Sequence, residues 1–346
     1  MSAGEPQPLA GSARLAAPEW RHWHPILCAR ELGRRPRSVA LLGVDLVVFR
    51  SGPGPDDVAA LVDECPHRRM RLSQGRVDGG CVVCPYHGFR FAADGRGTSP
   101  GTPQLHLDAI ALEVRVAWEV IWVRRPGATT AFPELGRPLH GEGERHFAGV
   151  LAHTIEGPLE PTIDNFCEVE HTPTTHALLG YREDAVGDIR VAVTTTPDSV
   201  RVVNEGRQKP LPRLVEWAFG IRSDDVFVDD WTVRFSPVHI HYDQSWREPT
   251  SGVARPDSVH PVVFFVPVEH DVTRLFTFLW TSRSRGALDV VLRPLVRRLV
   301  DHEVRLDRAM IERLADPDPD LRGTRLGRFD AALREHRKRI ATIYRA

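Results

Sequence analysis

The sequence predicts an α+β protein of two domains: a small all-β domain, then an antiparallel sheet that carries a long terminal helix. Three observations predict it. The chain has 346 residues, more than one ordinary core organises and suited to about two domains. Residues 37–125 are short β-like runs broken by Gly, Pro and Asp, the pattern of strands and turns. Beyond Pro161 the strand-like runs come first and a long helical pattern last, which points to helices packed on an antiparallel sheet.

Taken in order, the opening MSAGEPQPLAGSARLAAPEW has neither an apolar nor a basic block. Residues 1–18 therefore read as a mobile lead-in, not a signal peptide, and the expected location is cytoplasmic. RSVALLGVDLVVFR (37–50), VAALVDECPH (58–67), GCVVCPYHGFRF (80–91) and LEVRVAWEVIWVRR (112–125) read as strands or hairpin arms, with GPGP (52–55) and DGRG (94–97) as turns. The Pro- and Gly-rich stretch 125–145 reads as the linker, so the expected domains are 19–128 and 129–346. A helix-like segment follows Pro161. Strands are expected within 186–196, 199–206, 225–243, 260–270 and 273–282, and a helix from Arg293 to Leu314.

Composition narrows the function. Apolar residues make up 42% and charged ones 26%, as in soluble globular proteins. A net charge of −1 gives no bulk attraction to nucleic acid or to an anionic membrane, and runs such as VVFFVPV (262–268) are far too short to span a bilayer. Five cysteines in this length do not make a disulfide scaffold; clustered ones point to metal. Gly-Glu-Gly (141–143) and Gly-Arg-Gly (95–97) sit in expected loops, and no GxGxxG follows a strand. The chain thus lacks its own flavin or nicotinamide domain, and NAD(P)H can serve it only through a separate reductase.

The stretch CPHRRMRLSQGRVDGGCVVCPYHG (65–88) holds Cys65-x-His67, sixteen residues, then Cys84-x-x-His87. Zinc fingers pair Cys with Cys and His with His. A Rieske [2Fe–2S] cluster needs two thiolates on one iron and two imidazoles on the other, which two facing hairpin loops supply when each gives one of both. A structural zinc site, or unrelated core cysteines, is the competing reading. Cys81 reads as a buried apolar residue; Pro66 and Pro85 stiffen the loops, and Gly88 allows close backbone approach. Such a cluster moves electrons and breaks no substrate bonds, so an acceptor is needed.

Downstream, Asn165, Glu168 and His171 recur every three residues, so they drift slowly round one side of a helix, and His176 follows. Pro173 disfavours helix at Thr172 and turns His176 back toward His171. An O2-activating mononuclear Fe(II) wants two His and one carboxylate on one face. The last helix offers one: Val300, Val304, Ile311 and Leu314 form an apolar stripe with Asp307 in its middle, where a lone carboxylate is costly. Glu303, a turn earlier, is the alternative ligand; Asp301 and Glu312 point elsewhere and read as solvated. An Asp–Arg pair is the competing account of Asp307.

On these residues the chain resembles the Rieske non-haem iron oxygenases over almost its whole length. WHPILCAREL (23–32) and LLGVDLVVFR (41–50) resemble the family's opening, Asn165, Glu168, His171 and His176 its Asn-x-x-Asp-x-x-His-x4-His, and Asp307, Ile311 and Glu312 its late acidic motif. The resemblance implies a helix-grip catalytic domain, a homotrimer or a multiple of it, and a cluster in one subunit facing the iron of the next. It implies that the residue at 168 bridges the two centres, with Glu here in place of the usual Asp. It further implies a separate ferredoxin or ferredoxin reductase and O2 as co-substrate. The expected reaction is mono-oxygenation of a small ring compound, ahead of N-oxygenation of an aryl amine to a nitro group and of O- or N-demethylation. A Rieske electron carrier without oxygenase activity is the other class, which the second motif and some 200 further residues oppose. Strand alternation suggests Phe235, His239, His241, Phe265 and Trp280, with the 165–179 segment, as pocket residues.

Overall fold

The computed structural model describes residues 11–105, 107–137, 145–176, 178, 180–282 and 289–346, without the side chains of residues 11, 12, 214, 218, 219 and 289–292. The expected lead-in and linker fall partly outside these residues. The chain divides into two compact units, residues 1–132 with 345–346, and residues 133–344.

In the first unit a helical turn, α1 (Gly11–Arg14), precedes ten strands: β1 (His24–Cys28), β2 (Arg37–Leu41), β3 (Val44–Arg50), β4 (Val58–Val62), β5 (Arg76–Asp78), β6 (Cys81–Val83), β7 (Arg90–Phe91), β8 (Gly97–Thr98), β9 (Glu113–Ala117) and β10 (Val120–Arg124). They form three small antiparallel sheets, ordered β1-β10-β9, β2-β3-β4 and β5-β6-β7-β8. Val47, Phe49, Leu61, Val82 and Phe91 build the core into which Cys65 and Cys84 are drawn. β1, which pairs with β10, falls in the stretch that carries the family-like opening.

The second unit has one seven-stranded sheet with all pairs antiparallel, ordered β11-β17-β16-β15-β14-β13-β12. Its strands are β11 (His146–Glu156), β12 (Arg190–Thr195), β13 (Ser199–Arg207), β14 (Val226–Phe235), β15 (Val238–Arg247), β16 (Val259–Glu269) and β17 (Val272–Thr281). The helices are α2 (Leu159–Phe166), α3 (Thr172–Thr175), α4 (Arg213–Phe219), α5 (Asp289–Ile311) and α6 (Leu333–Arg339). The inward face of the sheet packs with α2 and α5 through Leu159, Ile163, Trp231, Phe235, Val304 and Ile311, and α6 sets His336 against Trp231 and Phe235. Because side chains alternate along a strand, Phe227, Asp229 and Trp231 share this face with Tyr242, Gln244 and Trp246.

Several expectations change here. α2 ends at Phe166, so Glu168 and His171 sit in a turn beyond it instead of on its side. Pro173 does not bar helix at Thr172; it occupies the first turn of α3, where its missing N–H breaks no helical bond. α5 stops at Ile311, and Leu314, 48% exposed, has left the apolar stripe. Asp301 and Glu312 are engaged: Asp301 pairs with His153 at 2.8 Å and Arg305 at 3.0 Å, and Glu312 accepts the Glu156 N–H at 3.0 Å. Among the described residues no helix is long and apolar enough to cross a membrane.

Candidate functional site

In the first unit, Cys65 and Cys84 head two loops of matching construction. Cys65 N–H donates to Met70 O at 2.8 Å and Arg69 N–H returns to Cys65 O at 2.8 Å; Cys84 N–H donates to Phe89 O at 2.8 Å and Gly88 N–H returns to Cys84 O at 3.1 Å. Each loop turns through a left-handed residue at the same place, Arg69 at φ 57° and Gly88 at φ 74°. The turn itself therefore calls for Gly88. His67 and His87, one from each loop, have ring centroids 4.7 Å apart.

Burial, with Cys84 alongside, pushes the Cys65 thiol up to about 11 despite backbone hydrogen bonds at His67 and Arg68, so a metal must displace its proton. Two thiols and two imidazoles are the donor set of a Rieske cluster. The four do not form a single-ion cage: among the described residues, only another group brings three or more ligand atoms within 4.8 Å of one another. That spread fits two irons better than one tetrahedral zinc. Cys81 is not the buried residue expected. It is half-buried at the hairpin end, opposite Asp78 and beside the Arg90 guanidinium.

The compact group is His171, His176 and Asp307. The two imidazoles face each other, Nε2 to Nε2 at 3.0 Å, and Asp307 Oδ1 lies 3.2 Å from each. Two ligands about 2.1 Å from one ion and at right angles lie about 3.0 Å apart, so three donors on one face fit a single metal. The turn after α2 delivers His171, the end of α3 delivers His176, and α5 delivers Asp307.

Each imidazole is held from behind. His171 Nδ1 pairs with Glu168, whose other oxygen accepts the N–H groups of Glu170 at 2.6 Å and His171 at 3.3 Å. His176 Nδ1 pairs with Glu303 at 2.6 Å, and the second Glu303 oxygen accepts Leu178 N–H at 3.2 Å. Glu303 is thus an orienting group on the far side of His176. Lys209 clamps the same loop by donating to the carbonyls of Pro173 and His176. Asn165 Nδ2 donates to Asp307 Oδ1 at 2.8 Å.

Burial alone depresses both imidazoles, but the carboxylates outweigh it: Asp307 with Glu168 for His171, and Asp307 with Glu303 for His176, raise both to about 9. Burial pulls the Asp307 carboxyl upward, yet the two histidines hold it below its ordinary value. A divalent cation here takes the place of protons.

The group lies in the wall of a cavity of about 160 Å³. Apolar side chains dominate the rest, including Phe227, Trp246, Val263, Leu299 and Val300; the polar ones are few and include Gln208, Asp229 and Gln244. None of Phe235, His239, His241, Phe265 and Trp280 lines it. His239, His241 and Trp280 have the wrong strand parity, while Phe235 and Phe265 share the inward face but pack farther along it in the core. Of the 165–179 segment, Ala177 and Leu179 lie outside the described residues. Asp229 escaped the sequence reading, although an acid at an inward position between Phe227 and Trp231 is a visible break in the alternation.

Comparison with known proteins agrees with this arrangement. Residues 22–109 match the Rieske [2Fe-2S] domain, and residues 155–346 match the vanillate O-demethylase oxygenase C-terminal domain. The chain is 29% identical over 233 residues to a 4beta-methylsterol monooxygenase of Methylococcus capsulatus, covering 61% of this chain and 62% of that protein. It is 33% identical over 211 residues to a vanillate O-demethylase oxygenase subunit of a Pseudomonas species, covering 56% and 59%. The chain thus spans about three fifths of the length of these relatives. Crystalline dicamba monooxygenase bound to 3,6-dichlorosalicylic acid superposes with a TM-score of 0.75 at 19% identity, covering 94% of this chain and 97% of that one; at that identity the likeness speaks for the fold. A Rieske domain implies a [2Fe–2S] cluster, and oxygenases of this kind use a mononuclear iron, O2 and electrons from a reductase. With the second match spanning more than half of its residues, the chain belongs to the Rieske non-haem iron oxygenases.

Proposed function

We propose that the chain is a terminal oxygenase that inserts one atom of O2 into a small ring compound, with electrons supplied by a separate ferredoxin or ferredoxin reductase. The observation that carries this reading is the placement of His171, His176 and Asp307 in the wall of a mainly apolar cavity. About 160 Å³ is the size of a cavity that takes benzene, about 150 Å³, so the space suits a single ring.

When bound, the cluster supplies single electrons and the mononuclear iron activates O2. On this proposal Cys65, His67, Cys84 and His87 hold the former and His171, His176 and Asp307 the latter. Glu168 and Glu303 fix the tautomer and tilt of the two imidazoles. Asn165 orients Asp307, and the apolar wall keeps water from the reacting centre. Electrons arrive from the cluster of a neighbouring copy in a homotrimer, with Glu168 between the centres; its contact with His171 and its partly exposed side chain support that role.

Relatives named as demethylases favour one form of the reaction, in which oxygen enters a methyl group on a ring oxygen or nitrogen. The methyl carbon then leaves as formaldehyde, the ring heteroatom keeps a hydrogen, and the second oxygen atom becomes water with two electrons and two protons. The test is turnover of single-ring methyl ethers and N-methyl heterocycles by iron-loaded protein with ferredoxin, reductase and NADH. Formaldehyde stoichiometric with product is expected. Absence of O2 uptake dependent on a ring compound, or rapid reduction of the cluster by NADH alone, contradicts the reading.

A further inference from the structure

One acid in the cavity wall is not engaged by the metal cage. Glu168 is taken by His171, Glu303 by His176, and Asp307 by both histidines. Asp229 on β14 stands opposite Gln244 on β15, and its Oδ1 accepts a hydrogen bond from Gln244 Nε2 at 3.1 Å. Neither arginine nor lysine is among the described lining residues, and Asp229 feels His176 and His171 through space while no described residue forms a salt bridge with it. The residue is only 6% exposed. A buried carboxylate with one neutral partner is costly. It also interrupts a strand whose other inward residues, Phe227, Trp231, Val233 and Phe235, are apolar. Local rules are broken in this way mostly at functional or strained sites, and this position faces the cavity.

We propose, resting on the reading of this cavity as the substrate site, that Asp229 is the acceptor that fixes the substrate's orientation. The substrate is accordingly a single-ring compound that carries an N–H or O–H group and no carboxylate. Gln244 holds one carboxylate oxygen and leaves the other for the ligand. A second carboxylate placed against Asp229 itself would meet like charge with no arginine or lysine in the described lining between them, and like charges so placed oppose binding strongly.

The test is calorimetric binding of 4-methoxyphenol, 4-methoxyaniline, methoxybenzene and 4-methoxybenzoate to the iron-loaded, cluster-intact protein. The phenol and the aniline are expected to bind at least about 10-fold tighter than the other two. In Asp229→Asn the disadvantage of the benzoate should shrink to within about threefold, with iron and cluster content unchanged. The proposal is overturned if the benzoate binds wild type as tightly as the phenol, if none of the four binds, or if Asp229→Asn leaves the preferences as they were. The wild-type series is decisive even if the variant fails to fold. O2 uptake with ferredoxin, reductase and NADH reports separately on the reaction: selective binding without ring-dependent uptake removes the oxygenase reading and spares the acceptor role, and uptake without selectivity does the reverse.

Discussion

Glu168 and Glu303 stand in the same relation to the two histidines, and the difference between them is in what else they do. Glu168→Gln keeps the size and an acceptor oxygen but loses the charge. Both metal sites should stay filled and the cluster should reduce normally, while turnover falls at least about 100-fold; Glu168→Asp should keep most activity. Loss of the mononuclear iron in Glu168→Gln beyond the roughly 10- to 100-fold weakening that an orienting partner explains would make Glu168 a ligand, and wild-type turnover would exclude it from the electron route. Glu303→Gln should weaken iron binding about 10- to 100-fold by releasing His176, measured by Fe(II) titration of the metal-free protein; an unchanged affinity contradicts the orienting role. Asp307 was legible in the sequence as an acid on an apolar stripe, but Glu303 one turn earlier met the same description. Only the folded geometry separates them: Asp307 Oδ1 lies 3.2 Å from both Nε2 atoms, whereas Glu303 meets His176 from the Nδ1 side at 2.6 Å.

At the scale of elements, the strong hydrophobic alternation of β13 to β17 and the stripe of α5 were legible, while weaker signals were lost. β11 is an edge strand with mixed exposure and follows a Gly-rich stretch, so its pairing with β17 comes from tertiary context. α4 has seven residues between Pro212 and Gly220, too few for a helical period to show. The pocket residues were misassigned because alternation gives two faces and does not say which one α5 will cover. Near the chain's end, α6 places His336 against Trp231 and Phe235, fully buried and with no hydrogen-bond partner for either ring nitrogen among the described residues. Burial, aided by Arg337 and Arg339, lowers it from 6.5 to about 3. The unfolded chain therefore binds a proton that the folded chain refuses between those values, so the stability is complete above 6.5 and is lost as pH falls toward 3. Relative to His336→Phe, wild type should lose about 2 kcal/mol between pH 7 and pH 5, read from denaturant titrations at both pH values. A difference independent of pH contradicts a neutral buried His336.

For the whole molecule, the proposed function rests on two metal centres built from different residues of one chain and, in the proposed homotrimer, on centres of different subunits working together. Co-assembly of Cys84→Ser with Asp307→Ala should therefore restore turnover that neither variant has alone, because an intact cluster then faces an intact iron site on a neighbour. No recovery in verified mixed oligomers would place electron transfer within one chain. The fold class was readable, and so were both sets of candidate ligands, because each rests on residue type and spacing. Subunit arrangement and substrate were not, since they depend on surfaces and cavity shape that spacing does not encode. The most direct measurement is an iron and acid-labile sulfide count on wild type and these two variants. Wild type should hold about three irons and about two sulfides per chain, Cys84→Ser should lose about two irons with all the sulfide, and Asp307→Ala should lose about one iron and no sulfide. Zinc in place of iron, or sulfide lost in Asp307→Ala, would contradict the account.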